Sequence, residues 1–485
     1  MTVVPTWRLR AAFARALSEM YGQEVPAYTT LVEVSSEVNA GVLRRDGSAA
    51  ERLGTIGRVT AERHGAIRVG TPQELRQVAQ VFAALGMYPV GFYDLRDTAS
   101  SSIPVVSTAF RPIEPAELAL NPFRVFTSIL TPDDRRFFDA GLQEELEAFL
   151  ARRRLFPPEL LALAARAERE RELPAEEAKR FLKLAVAAFK LSAEPVDRSW
   201  YRRLEAVSSV AADIGGVTST HVNHLTPRVL DIDELYRRMS ERGIEMIDEI
   251  QGPPRWDGPD VLLRQTSFRA LSESRRFRLP DGRVEHGSLS VRFGEVEARG
   301  IALTPAGRDL YDVMLSEVDA RLTTDRGPAG VDARSATDHR PAGAHARAAT
   351  GASRQDVARE VWAERLPGSE SELAKQGLGY FRYRLLDRPA DGRKPPVDVA
   401  GLIDGGWAGV EPIVYEDFLP RSAAGIFQSN LAGNGSRDTA ATGSGRNAHW
   451  MQDMLERTVH EPADLYAAQS QESLRHVLTR LQETT

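Results

Sequence analysis

Apolar residues recur every three to four positions over 137–156, 160–171 and 176–191, with Pro174 interrupting before the last, and this spacing predicts amphipathic helices. Residues 1 to about 60 read mostly as helices and loops, and 450–481 as helix. Between these helical stretches the pattern turns to short, strand-like runs. Two segments carry no core pattern. Residues 326–354 are built from Ala, Gly, Arg, Asp and Pro, with Val331 the single large apolar side chain, and are expected to form a linker or insertion. His339 and His345 within it are therefore poor ligand candidates. Residues 433–447 are rich in Gly, Ser and Asn, but neither a dinucleotide fingerprint nor a phosphate-binding lysine completes Gly433-Asn434-Gly435.

The strand-like runs form an internal repeat. One copy starts at His64-Gly-Ala-Ile-Arg68, passes through a helical run at 74–85 and turns at Gly86. The other starts at His221-Val-Asn-His224, passes through a helical run at 232–242 and turns at Gly243. The interval from His to Gly is 22 residues in both. A strand-like run follows each glycine, at 88–93 and at 244–250. Thr108-Ala-Phe110-Arg111 then matches Thr266-Ser-Phe268-Arg269, and Val125-Phe126-Thr127-Ser128 matches Arg292-Phe293-Gly294-Glu295. Each copy reads β-α-β-β-β. The expected fold is α+β, with two paired βαβββ modules forming a curved sheet around a cavity and helical segments added.

Composition narrows the chemistry that such a cavity can hold. Apolar residues make up 42% and charged residues 27%, as in a globular protein, and 485 residues exceed one ordinary core. With 62 Lys and Arg against 68 Asp and Glu, the net charge of −6 supplies no basic field for nucleic acid or an anionic membrane. No apolar run has membrane-spanning length and the N-terminus lacks a signal core, so the expected location is the cytoplasm. Cysteine is absent, which excludes disulfides, thiolate metal sites and cysteine nucleophiles. Any metal must be held by His, Asp or Glu.

Side chains two and four apart on a strand share a face, so His64 and Arg68 should point into one cavity. His221 would share its face with Asn223 and Leu225, while His224, three residues on, would face away as a packed or supporting histidine. The closing strand of the second copy offers Glu295 and Glu297 on one face, and the repeat aligns Glu295 with Ser128. Taken singly, each residue has an ordinary structural explanation. At repeat-equivalent positions, His64, His221 and Glu295 make a two-histidine, one-carboxylate set, the arrangement of non-haem Fe(II) oxygenases.

At these residues the sequence resembles the vicinal oxygen chelate superfamily, and more specifically the 2-oxoadipate dioxygenase/decarboxylase family, also called hydroxyglutarate synthase. The matching segments are Arg63-His64-Gly-Ala-Ile-Arg68-Val-Gly-Thr, His221-Val-Asn-His-Leu-Thr-Pro-Arg228, Arg264-Gln-Thr-Ser-Phe-Arg-Ala-Leu271, the Glu295 strand, and the run from Tyr415 through Arg421 and Ser422 to Phe427. The resemblance implies an Fe(2+) enzyme of lysine degradation that converts 2-oxoadipate and O2 to D-2-hydroxyglutarate and CO2, with no nucleic-acid or membrane partner. It places the iron on His64, His221 and Glu295. It sets the substrate against His64, Arg68, His221, Arg421 and Ser422, and gives Arg68 the specificity and catalytic role. An aliphatic residue usually stands at position 421, so the arginine here departs from the pattern. The expected organisation is an N-terminal helical segment at 1–62, modules at 63–130 and 206–325 separated by a helical insertion at 131–205, the linker at 326–354, and a C-terminal segment at 355–485 carrying the substrate-side loop. The rivals are the same fold acting on another 2-oxo acid, a metal-dependent isomerase, and a metal-free protein that binds a small acid.

Overall fold

Five strands carry the meeting of the two modules. β1 (Arg63–Val69), β2 (Tyr88–Asp94), β3 (Val105–Arg111) and β4 (Arg124–Leu130) come from the first, and β5 (Val222–Pro227) opens the second. The order across the sheet is β2-β3-β4-β1-β5. β1 runs parallel to β4 and antiparallel to β5, so the two opening strands lie side by side. This is a computed structural model, and it describes residues 2–61, 63–97, 103–290, 292–324, 353–387, 394–419 and 444–483. Arg421, Ser422, His339, His345 and nearly all of the expected linker lie outside the described residues.

The first module is βαβββ, with the helix Pro72–Ala83 between β1 and β2. The second departs from the expected pattern in two places. After its helix Ile232–Glu241, the run 244–250 forms no regular strand and is held near the next strand by the isolated bridges Met246 to Phe268 and Gln251 to Gln265. Met246 and Ile247 are both buried although adjacent, so the alternation that a strand requires is lost. Then β6 (Leu263–Ser267) is followed by an inserted hairpin, β7 (Glu273–Arg278) with β8 (Val284–Leu289), before β9 (Glu295–Arg299) pairs with β6. Among the described residues no sheet closes into a barrel, and the chain is α+β.

The repeat is also visible in how the two module helices begin and end. Thr71 and Asp231 cap them, each accepting from the backbone N–H three residues on. Gly86 and Gly243 follow their ends at φ +67° and +75°. Beyond each glycine a backbone N–H reaches back five residues, Met87 to Phe82 and Ile244 to Met239. This is a Schellman closure, and its left-handed position explains glycine at the same place in both copies.

The ladder between β1 and β5 contains the feature on which the site depends. His64 lies opposite Thr226 and Ala66 opposite His224, but Ile67 lies opposite Val222, so β5 bulges at Asn223. The bulge carbonyl is served from outside the ladder. The Tyr21 hydroxyl lies 3.0 Å from the Asn223 carbonyl and 2.7 Å from that of Phe293, and the Phe293 N–H donates to Asn223 at 3.4 Å. Tyr21 comes from the helix Thr6–Glu24. The next helix, Pro26–Asp46, fixes the exit of β5, because the Asn39 amide donates to the Arg228 carbonyl at 3.1 Å and accepts from the Leu230 N–H at 2.8 Å.

Two compact units divide the chain. The larger comprises Met1–Gln251, Gln265–Ala298 and Asp417–Pro462, and contains the first module, the sheet-forming part of the second and the main apolar core. The smaller comprises Gly252–Arg264, Arg299–Glu416 and Ala463–Thr485. Its hairpin β10 (Phe381–Leu385) with β11 (Ala408–Pro412) belongs to a unit whose own small core includes Leu402, Val477 and Leu481. Among the described residues no helix is long and apolar enough to cross a membrane.

Replacing Tyr21 by Phe removes the one hydroxyl that serves the bulge carbonyl. The expected loss is about 1–2 kcal/mol of unfolding free energy, read from the midpoint of chemical denaturation. An unchanged midpoint would mean that the Phe293 N–H alone satisfies Asn223.

Candidate active site

β1 presents His64, Ala66 and Arg68 to one face of the sheet, and β5 presents Thr226 and His224 to the same face because they lie opposite His64 and Ala66. Past the bulge the phase of β5 changes, and His221 joins this face beside Arg68. Glu295, at the start of β9, completes a buried cluster: one donor atom from each of His64, His224 and Glu295 lies within 4.8 Å of the others. These residues are 1%, 4% and 5% exposed. Oε2 of Glu295 is 3.4 Å from Nε2 of His64, and Oε1 is 3.6 Å from Nδ1 of His224. Thr226 donates to Glu295 at 3.5 Å.

His221 therefore does not take the expected place in the cluster; His224 does. The expectation rested on strict alternation along β5, by which residues three apart face opposite ways. The bulge inserts a residue into that count and turns both histidines to the same face. His221 lies instead against Asp213, with its Nε2 3.3 Å from Oδ1 of that carboxylate and 3.2 Å from the Asn223 amide.

The cluster has the properties of a metal site. Nε2 of His64 and Nδ1 of His224, the two ring nitrogens that face Glu295, make no hydrogen bond although both are buried. Leaving such groups unsatisfied is costly unless a further partner occupies the space between them. Burial holds the His224 imidazole down at about 4, with Glu295 opposing, so it is neutral near pH 7 and its lone pair is available to a cation. Glu297 stands behind the cluster, fully buried, with Oε2 3.1 Å from Nδ1 of His64. A carboxylate in that position orients the imidazole so that Nε2 faces Glu295. The donor set, two imidazoles and one carboxylate, fits a divalent first-row metal.

Arg68 carries the other half of the site. Nη1 bonds Oδ2 of Asp213 at 2.5 Å, and the Thr220 hydroxyl donates to the Arg68 carbonyl at 2.7 Å. Asp213, on the short helix Ser209–Gly215, thus forms a buried ion pair with Arg68. Burial pushes the Asp213 carboxyl up, but His221 and Arg68 together carry it well below the usual carboxylate range. Asn223 completes the arrangement, donating to Oδ2 at 2.8 Å. Ser128, aligned with Glu295 by the repeat, lies beside Arg68 in the ladder and is bonded to the Ser107 hydroxyl at 2.8 Å.

One wall of the site is aromatic. The ring of Phe418 meets His64 edge-on at 4.9 Å and lies 4.9 Å from Phe126. It is held there by its neighbour Asp417, which accepts two hydrogen bonds from Arg111 at 2.8 and 3.0 Å, both side chains being buried. Asp213, Phe418 and Asp417 were not among the expected site residues. Nothing in the spacing of Asp213 marks it, but the pairing of Asp417 with Arg111 could be suspected from an arginine closing a strand that must be buried.

The profile of the 2-oxoadipate dioxygenase/decarboxylase family matches residues 13–430. The chain belongs to that family. It is 53% identical over 470 residues to the 2-oxoadipate dioxygenase/decarboxylase of Mycobacterium tuberculosis, with 97% of this chain and 98% of that one covered. The 2-oxoadipate dioxygenase/decarboxylase of Pseudomonas putida is 41% identical over 476 residues, covering 96% of this chain and 95% of its own. A crystal structure of the hydroxyglutarate synthase from Pseudomonas putida in complex with 2-oxoadipate matches with a TM-score of 0.80 and 38% identity, over 99% of each chain. Membership in the 2-oxoadipate dioxygenase/decarboxylase family makes this an oxygenase-family enzyme and gives the buried cluster a chemical context.

His64→Ala, His224→Ala and Glu295→Gln are each expected to lose bound metal by elemental analysis of the purified protein, whereas His221→Ala retains it. Loss of metal from His221→Ala with retention in His224→Ala would contradict the bulged register.

Proposed function

We propose that this chain is an Fe(II)-dependent enzyme that converts 2-oxoadipate and O2 to D-2-hydroxyglutarate and CO2. The observation that carries the reading is a buried His64, His224 and Glu295 cluster sharing a sheet face with a buried arginine, in a chain of this family. When bound, Fe(II) would supply a Lewis acid for the 2-oxo acid and the redox chemistry that activates O2. His64, His224 and Glu295 would hold it on one side, leaving the opposite side to substrate and oxygen.

The remaining residues bind, orient and exclude water. Glu297 keeps a proton on Nδ1 of His64 and so fixes the tautomer that offers Nε2. Arg68 is the group that receives a substrate carboxylate, because its planar fork is always charged and Asp213 holds it in place. Phe418 and Phe126 form an apolar wall beside His64, which lowers the local dielectric and strengthens the grip of Arg68 on an anion. Arg421 and Ser422, carried over from the family resemblance, would add a contact from the C-terminal segment, and His221 acts on substrate only through Asp213. A role in lysine degradation and a cytoplasmic location belong to the same proposal.

The test is oxygen uptake by protein loaded with Fe(II) under anaerobic conditions, with 2-oxoadipate and 2-oxohexanoate compared. 2-Oxoadipate should be consumed with stoichiometric release of CO2, and 2-oxohexanoate should be turned over much less well. Arg68→Ala should keep its iron, lose about 30-fold or more in kcat/KM for 2-oxoadipate, as expected for a desolvated charge pair, and lose the discrimination between the two acids. No oxygen uptake with either acid would overturn the reading; an unchanged preference in Arg68→Ala would remove Arg68 from the distal carboxylate.

A further inference from the structure

A cavity of about 490 Å3 opens in the larger unit and is lined by none of His64, His224 and Glu295. Its size falls within the range of small-molecule sites. Phe149, Trp200 and Val217 make its apolar walls. The Trp200 indole is fixed by its N–H bond to the Gly215 carbonyl at 2.9 Å. At the inner end stand His221 and Arg275, both buried.

The charges around the cavity are unevenly committed. Glu145 takes a two-pronged ion pair from Arg203 at 2.7 and 2.8 Å. Glu194 accepts from the Thr218 hydroxyl at 2.6 Å, and Asp197 accepts from the backbone N–H of Trp200 at 2.9 Å, capping the helix Arg198–Glu205. Arg275 differs. It is 8% exposed, its hydrogen bond goes to the Ser192 carbonyl at 3.0 Å, and its buried Nε has no acceptor. A buried guanidinium with an unused donor, in a cavity whose apolar wall is Phe149, Trp200 and Val217 and whose carboxylates are already bonded, is the polar half of a site for an anion.

We propose that this cavity binds a small organic carboxylate with an apolar or aromatic body, its head on Arg275 and its body between Trp200 and Phe149. The cavity is lined by none of His64, His224 and Glu295, and it shares with the candidate active site His221, which lies against the Asp213 that holds Arg68.

Calorimetric titration of the full chain with 3-phenylpropionate tests this. The titration is done with 2-oxoadipate present in excess and oxygen excluded, so that the metal site is occupied. One saturable site is expected, with 3-phenylpropan-1-ol at least tenfold weaker, which needs no variant to interpret. Arg275→Gln should weaken binding at least tenfold, Val217→Trp should abolish it by filling the cavity, and His224→Ala should leave it intact. The proposal fails if no saturable binding occurs, if acid and alcohol bind alike, or if 2-oxoadipate displaces the probe.

Discussion

One irregularity in one ladder decides which side chains meet in this protein. Without the bulge at Asn223, β5 would present either His224 or His221 to the site face, and Arg68 would lack its neighbour. With it, β5 brings His224 to the cluster with His64 and Glu295, and the residue just before it, His221, to the carboxylate that holds Arg68. A bulge leaves backbone polar groups without ladder partners. Here the Tyr21 hydroxyl and the Phe293 N–H serve the Asn223 carbonyl, while Asn39 pins the exit of the strand at Arg228 and Leu230. The N-terminal helices are therefore part of the site's construction, although they supply no ligand.

The second constraint is the number of charges buried around this face. Glu295, Glu297, Asp213, Arg68, Arg111 and Asp417 are all buried, and each is matched by a group of opposite character or by an imidazole. Removing one partner of such a pair typically costs about 3–5 kcal/mol, because the other is left uncompensated. The carboxylates facing His64 from two sides are tolerable when a cation shares the space between Glu295 and the histidines. The same logic isolates Arg275, whose carboxylate neighbours are committed elsewhere.

Much of the architecture was legible in the sequence because its signals are local. The turn glycines at 86 and 243 and the shared 22-residue interval state the repeat without any tertiary knowledge, and the structure adds matching caps at Thr71 and Asp231. His64, Arg68, Glu295 and Glu297 lie on strands that keep regular alternation at those positions, and the structure brings them to one site. His221 and His224 could not be told apart that way, since a bulge is set by partners far along the chain, Tyr21 among them. The irregular run 244–250 and the inserted hairpin of β7 and β8 were missed for a related reason: alternation describes a strand only where a ladder exists to enforce it.

The most direct test of this arrangement is a crystal structure of the iron-loaded protein with anomalous data collected at the iron edge. The account predicts a single strong peak bonded to Nε2 of His64, His224 and a carboxylate oxygen of Glu295, with His221 against Asp213 and making no bond to the metal. A peak ligated by His221, with His224 turned away from it, would contradict the account.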